Sequence, residues 1–292
     1  MSYFIQQLLN ALQLGSIYAL IALGYTMVYG VLGLINFAHG DIFMAGAFFG
    51  FFTAYLLKLP LIPTLILSML LASALGIMIE RIAYRPLRKA PRMSLIITAL
   101  GISLFLENFT RATLGGQPRS FPKLLEIQDF TFLGASVTNL QVVIILVSIF
   151  LMLVLRYIVQ NTMIGKAMRA VSDNKEVLAL MGISLDTVIM VTFGLGSALA
   201  ATAGILVGLA YPVIDPYMGI TVGWKAFIAA VLGGIGLING ALVGGFILGF
   251  IEIFAAALLP STYRDGIAFT ILIIVLLLKP TGLLGRPVIK KV

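Results

Sequence analysis

"GLINFAHGDIFMAGAF" runs from Gly33 to Phe48. It places Asn36, His39 (the chain's single histidine) and Asp41 between long apolar stretches. Working outward from it decides the fold. The chain has 292 residues, of which 61% are hydrophobic and 10% charged, with a mean hydropathy of +1.12. A soluble domain is about half apolar and about a quarter charged. Charge-free runs recur at 1–40, 59–79, 93–106, 130–155, 187–214, 226–251 and 266–278. Several exceed the roughly 20 apolar residues that cross a bilayer core. In lipid every backbone polar group needs a partner, so such runs are helices or strands of a closed barrel. Continuous apolar runs exclude the short alternating strands of a barrel. The expected fold is all-α: a polytopic transmembrane helical bundle of about 8–9 spans, with short or broken Gly-rich helices and an internal pseudo-repeat.

Spans are expected near 8–34, 41–57, 61–80, 94–114, 138–158, 186–210, 223–239, 241–260 and 265–280. The second and seventh are short and Gly-rich, and are candidates for broken segments. Three segments are basic: "ERIAYRPLRKAPR" (80–92), the stretch 156–186, and "KPTGLLGRPVIKKV" (279–292). Lys and Arg collect in cytoplasmic loops, so all three belong on that side. Parity then puts the N-terminus outside, together with ordered outer loops at 115–137, 211–222 and 261–264. The net charge of +8 is explained by this bias and needs no nucleic-acid partner; the expected surroundings are a lipid bilayer. Absent cysteines remove disulfides, thiol catalysis and cysteine–metal sites. The first basic residue is Lys58, so no charged signal-peptide start is expected and the first helix should be retained. No linker composition divides the chain, and 1–292 reads as a single transmembrane domain.

"GLIN" occurs twice, at 33–36 and 236–239. Each copy leads into small residues at every fourth position: Gly46 and Gly50 after the first, Gly236, Gly240 and Gly244 in the second. That spacing clears one helix face for close backbone approach. Paired Gly-interrupted segments in two halves of a transporter point to its translocation site; chance recurrence in a Gly-, Leu- and Ile-rich chain is the competing explanation. Asn36 suits a backbone group freed where a helix ends. Asp41 suits the cap of the next helix, with His39 in the turn between them. The alternative is direct contact with a solute, since exposed helix N-termini bind carboxylates. One His and one Asp are too few ligands for a metal.

The loop at 159–185 is patterned. "IGKAMRAV" (164–171) reads as one short helix carrying Lys166 and Arg169. A second is expected to start at Asp173, with Glu176 completing a capping box and Gly182 as its C-cap. Such helices either lie on anionic lipid or dock a soluble partner. A P-loop, HExxH and GxSxG are all absent. Within the spans, Glu107 precedes Arg111 by one helical turn and is expected to pair with it. Glu252 stands alone in "GFIEIFAAALLP". An intramembrane carboxylate is a functional candidate by default, against a buried Glu satisfied by a neighbouring hydroxyl or water.

The stretches 15–48, "IERIAYRPLRKAPR" (79–92), "GKAMRAVSDNKEVLALMGIS" (165–184), 225–252 and "LKPTGLLGRP" (278–287) strongly resemble, nearly end to end, the LivH-type permeases of branched-chain amino acid ABC importers. The resemblance implies a multi-pass protein of a prokaryotic cytoplasmic (inner) membrane, not an enzyme. It implies a second permease of LivM type, two ATP-binding subunits that use the ATP, and an extracytoplasmic substrate-binding protein. No cofactor is implied in this chain. It turns 159–185 into a coupling-helix loop, with Gly165, Arg169, Asp173, Glu176 and Gly182 as ATPase-coupling candidates, although the usual Glu-Ala-Ala opening is not evident. Asn36, His39, Asp41, Gly236, Asn239 and Glu252 become candidates for the translocation path or its helix breaks. Similar importers carry urea or short amides, which is the alternative cargo. A stand-alone secondary carrier or channel would instead use Glu252 or Glu107.

Overall fold

The computed structural model describes residues 2–132, 134–173 and 182–285. Ten α-helices occur among them: α1 (Ser2–Leu32), α2 (His39–Leu57), α3 (Leu61–Ile79), α4 (Arg92–Leu114), α5 (Asn139–Asn161), α6 (Met163–Asp173), α7 (Leu185–Ala210), α8 (Met218–Gly233), α9 (Ile238–Leu258) and α10 (Arg264–Leu278). Seven are long and apolar enough to cross a membrane, α3 being counted with the π-helical turn Glu80–Tyr84 that extends it. Helices α8 and α10 are apolar but shorter. The expected positions hold, with corrections. The seventh span runs from Met218 to Gly233, not 223–239, so Gly236 lies in the following connection and Asn239 in the first turn of α9. The second is one unbroken helix of 19 residues. The bundle also carries two small antiparallel ladders, β1 (Arg119–Ser120) with β4 (Val213–Ile214), and β2 (Asp129–Phe132) with β3 (Ala135–Thr138). They order the expected outer loops.

Helix α1 is the axis. It is buried along most of its length, as are α2 and α7 around it, whereas α3, α4 and α5 keep broad apolar faces exposed. Small residues create this centre. Gly249 and Gly245 of α9 sit against Gly15 and Ala19 of α1, so the two helices run antiparallel. Gly196 of α7 lies on Gly24 of α1, Gly204 of α7 on Phe43 and Ala47 of α2, and Gly46 of α2 on Ala201 of α7. A Cβ at Gly249 would stand 2.4 Å from Gly15 backbone atoms, and one at Gly46 2.2 Å from the Ala201 Cα. Lipid tails are as apolar as the side chains, so packing of this closeness replaces the hydrophobic effect as the force between helices.

The ends sort by charge. Residues 84–88 bond to Asn36 and Asp186. Gly30 meets Gly236, and the Leu283 and Leu284 N–H groups bond to Leu232 and Gly233. The described parts of all three basic segments therefore gather at one end. At the other end Phe121 lies against Gly50 and Gly208, and Gln141 bonds to Asn10. The start of α1 is on that second side, as the parity of the spans requires.

The packing makes a direct comparison. Gly46→Leu and Gly249→Leu should each lower unfolding stability in detergent by about 1–3 kcal/mol or more through overpacking. Gly101→Leu, at an open position of α4 with no atom near its built Cβ, should be neutral in the same thermal-shift measurement.

Candidate functional site

Helix α1 ends at Leu32, where Gly33 takes a left-handed φ of +70° and its N–H bonds to the Tyr29 carbonyl at 2.7 Å. Glycine is favoured in that conformation because it has no Cβ. Asn36 then organises the turn. Its Oδ1 accepts the Ala38 N–H at 3.1 Å and the Tyr84 hydroxyl at 2.7 Å, while its carbonyl accepts the His39 N–H. Tyr84 comes from the π-turn after α3. The two most distinctive motifs of the sequence, Asn-Phe-Ala-His-Gly and Ala-Tyr-Arg-Pro, therefore meet in one buried hydrogen bond.

His39 opens α2 and is 1% exposed. Its ring fills the space left by Gly24, where a Cβ would lie 2.3 Å from Nε2, and stands edge-on to Tyr25 with centroids 4.6 Å apart. Nε2 has no hydrogen-bond partner among the described residues. Gly24 lies roughly two turns, or ~12 Å, before the end of α1, so α2 starts well inside the bundle. Close by, Gly40 of α2 crosses Gly219 and Gly223 of α8 at backbone contact.

Asp41 does not cap α2. The helix begins two positions earlier, at His39, and no side chain caps its start. The Asp41 carboxylate is buried, with Oδ1 unpartnered among the described residues, and faces Ser103 and Glu107 of α4. Glu107 accordingly is not paired with Arg111, whose Nη1 donates to the Tyr217 hydroxyl at 3.0 Å.

Glu252 is not solitary. It is 1% exposed and accepts the Tyr18 hydroxyl at 2.6 Å and Lys225 Nζ at 2.7 Å. Lys225 also meets Asp265 at 2.7 Å. Arg264 Nε lies 3.1 Å from Glu252 without hydrogen-bond alignment, so it contributes charge but no directed bond. Two cations and two carboxylates thus fasten α8, α9 and the start of α10.

The second Gly-Leu-Ile-Asn behaves like the first at its glycine. Gly236 has φ +92° and touches Tyr29 and Gly30 at the end of α1. Its asparagine differs: Asn36 is buried and bonded, whereas Asn239 is exposed. Gly236 and Asn239 line a cavity of about 540 Å³ between α1, the α5–α6 corner and α9, with Arg169 on its wall.

At that corner a Cβ on Gly165 would collide with the Ile158 and Val159 carbonyls at 2.3 Å. Thr162 Oγ1 accepts the Gly165 N–H at 3.2 Å, and Arg169 donates to the Val159 carbonyl. Arg169 therefore closes the C-terminus of α5, where a cation is favoured by the helix dipole. Asp173 is helical and is the last described residue of α6. Glu176 and the rest of the expected second helix, 174–181, lie outside the described residues. Gly182 has φ +67°, and Ser184 then caps α7.

A profile of the family described as "Branched-chain amino acid transport system / permease component" matches residues 7–276. The high-affinity branched-chain amino acid transport system permease protein LivH of Salmonella typhimurium is 45% identical, over 99% of this chain and 98% of its own. LivH of Escherichia coli is 44% identical and BraD of Pseudomonas aeruginosa 42%, each over the same shares of both chains. The chain belongs to that family.

Two structural residues of this permease escaped the sequence reading. Tyr84 sat within a quoted motif, but nothing local shows that its hydroxyl reaches Asn36. Lys225 carried a signal: it is the single cation between Asp186 and Arg264, and a buried Glu252 needs one.

Removing one member of each contact separates these roles. Tyr84→Phe and Asn36→Ala should each cost about 1–3 kcal/mol, and a double-mutant cycle on thermal unfolding should show that they are not additive. Lys225→Met strands the Glu252 carboxylate and should cost up to about 3–5 kcal/mol, with Lys225→Met/Glu252→Leu recovering most of it. A double variant whose cost equals the sum of the Lys225→Met and Glu252→Leu costs would show that the pair is not coupled.

Proposed function

We propose that this chain is the membrane-spanning permease subunit of an ATP-driven importer for leucine, isoleucine and valine. The observation that carries the reading is 45% identity over 99% of this chain to a permease protein of a high-affinity branched-chain amino acid transport system. The chain is one permease unit over 1–292 in a prokaryotic cytoplasmic (inner) membrane. It works with a second, LivM-type permease, two ATP-binding subunits and an extracytoplasmic substrate-binding protein. It is not an enzyme and takes no cofactor; ATP is used by the partner subunits.

The structure suggests how work enters. The described residues of 159–185 lie at the basic end, where ATPases would dock; Gly165, Arg169, Asp173, Glu176 and Gly182 are the coupling candidates of that segment. The Arg85, Arg88, Glu80 and Asp186 ion pairs tie the α3 end to the start of α7. Movement of the loop thereby reaches α7, which packs on α1, α2 and α3. The breaks at Gly33–Ala38 and Gly234–Leu237 are where α1, α2 and α9 can change direction as the path opens to each side in turn.

Reconstitution with the partner subunits in proteoliposomes tests this reading. ATP-dependent uptake of leucine, isoleucine and valine is expected, and none by this chain alone. Uptake of urea or short amides instead would reassign the cargo; uptake by the chain alone would make it a carrier. Gly182→Val places a β-branched residue at φ +67°. It should reduce ATP-driven uptake at least about tenfold, a loss of roughly 1.4 kcal/mol in coupling, while the spans stay folded.

A further inference from the structure

The cavity at the basic end is bracketed by two helix termini of opposite polarity. On one side is the last turn of α1, represented by Gly30 and Val31. The final carbonyls of a helix lack intrahelical donors and carry the negative end of its dipole. On the other side is the first turn of α9. The N–H groups of Ile238, Asn239 and Gly240 all belong to cavity-lining residues and have no acceptor among the described residues. No side chain caps that turn. Inside the cavity Thr26 is 1% exposed, and its Oγ1 has no partner among the described residues. A buried hydroxyl without a partner is costly, so this one is poised for a ligand. The remaining wall includes Met27, Val159 and Met168, with the Arg169 guanidinium at the edge.

Such a space matches a zwitterion with an apolar side chain. A carboxylate suits the free N–H groups of α9. An ammonium suits the carbonyl end of α1 alongside it. The Thr26 hydroxyl can bond to either group, and the aliphatic part rests on the apolar wall. About 540 Å³ falls in the range of small-molecule sites.

From this we infer that the cavity is a binding site for a free α-amino acid, held within this chain and open at its basic end. The inference rests on the reading above that branched-chain amino acids are the cargo, and makes this the place where cargo is held on the cytoplasmic side.

The absence of cysteine from the chain permits a direct assay. Ser172 is exposed on the cavity rim. With Ser172→Cys in the whole importer, embedded in inside-out vesicles without ATP or binding protein, alkylation by a membrane-impermeant maleimide is followed as a mass shift of this chain. Leucine should slow labelling at least about threefold. Leucinamide, which lacks the carboxylate, and 4-methylpentanoate, which lacks the ammonium, should not. Asn239→Asp, which adds a charge favourable to the helix but repels a carboxylate, should raise the protecting leucine concentration at least about tenfold with thermal stability unchanged. Thr26→Val should raise it about threefold or more.

Protection by inorganic phosphate and 4-methylpentanoate as strong as that by leucine would make this a general anion site and overturn the amino-acid assignment. Absence of leucine protection, or protection unaffected by Asn239→Asp and Thr26→Val, would overturn the site. ATP-driven leucine uptake measured on the same preparation keeps the two readings apart. If uptake is normal and protection absent, only the cavity assignment fails; if uptake is absent, the cargo reading fails.

Discussion

Everything in this bundle depends on how closely other helices approach α1. In hydrocarbon an apolar side chain gains little by leaving lipid for protein, so contact at backbone distance must hold the helices together. Glycine and alanine permit it at Gly15, Ala19 and Gly24, against Gly249, Gly245 and Gly196. The same small residues make long helices weak against bending. The chain uses that weakness at the ends of α1 and α8, where Gly33, Gly234 and Gly236 adopt positive φ. Tight centre and breakable ends are thus two consequences of one composition.

A break inside an apolar bundle exposes backbone groups that water cannot reach, and each must be met from the chain's scarce polar residues. Asn36 meets the N–H of Ala38, and Tyr84 holds the amide in place. His39 is used differently. Its ring is a shaped plug for the hollow at Gly24. Asp41 and Glu107 share the α2–α4 interface, and Glu252 is matched by Lys225. All three carboxylates are buried, and the Tyr18 hydroxyl gives Glu252 the neighbouring donor that the sequence reading weighed for it.

The legible part of the fold was the part set by local composition. Span positions, the gathering of the described basic segments at the end opposite the start of α1, and the role of Asn36 at a helix end follow from residues close in sequence, and the structure agrees. The resemblance made family membership legible too. What failed was tertiary pairing. Glu107 and Arg111 are one turn apart on α4, yet Glu107 faces Asp41 of α2 and Arg111 bonds to Tyr217, just before α8. Lys225 and Glu252 meet only because α8 and α9 fold back at Gly234. The start of α8 was misplaced because its first turn, "MGITVG", reads as loop. Asp173 was taken as the cap of a second helix because Ser-Asp-Asn is strong capping chemistry, but it is itself part of α6.

The two Gly-Leu-Ile-Asn copies show how one local device acquires two uses. At both, a left-handed glycine redirects the chain beside the other's helix end, Gly30 against Gly236. At the first, two residues separate asparagine from the helix that follows, and Asn36 is consumed in closing the turn. At the second, α9 begins at Ile238, so Asn239 is already helical and its side chain is free of that duty. The backbone N–H groups that an Asn36-like residue would have satisfied are left facing a cavity. Arg169 borders the same cavity while bonded to the end of α5. A displacement of α6 therefore cannot leave the cavity wall unchanged. The shift in helix start by a few residues, rather than any change in motif, is what separates a sealed joint from an open one.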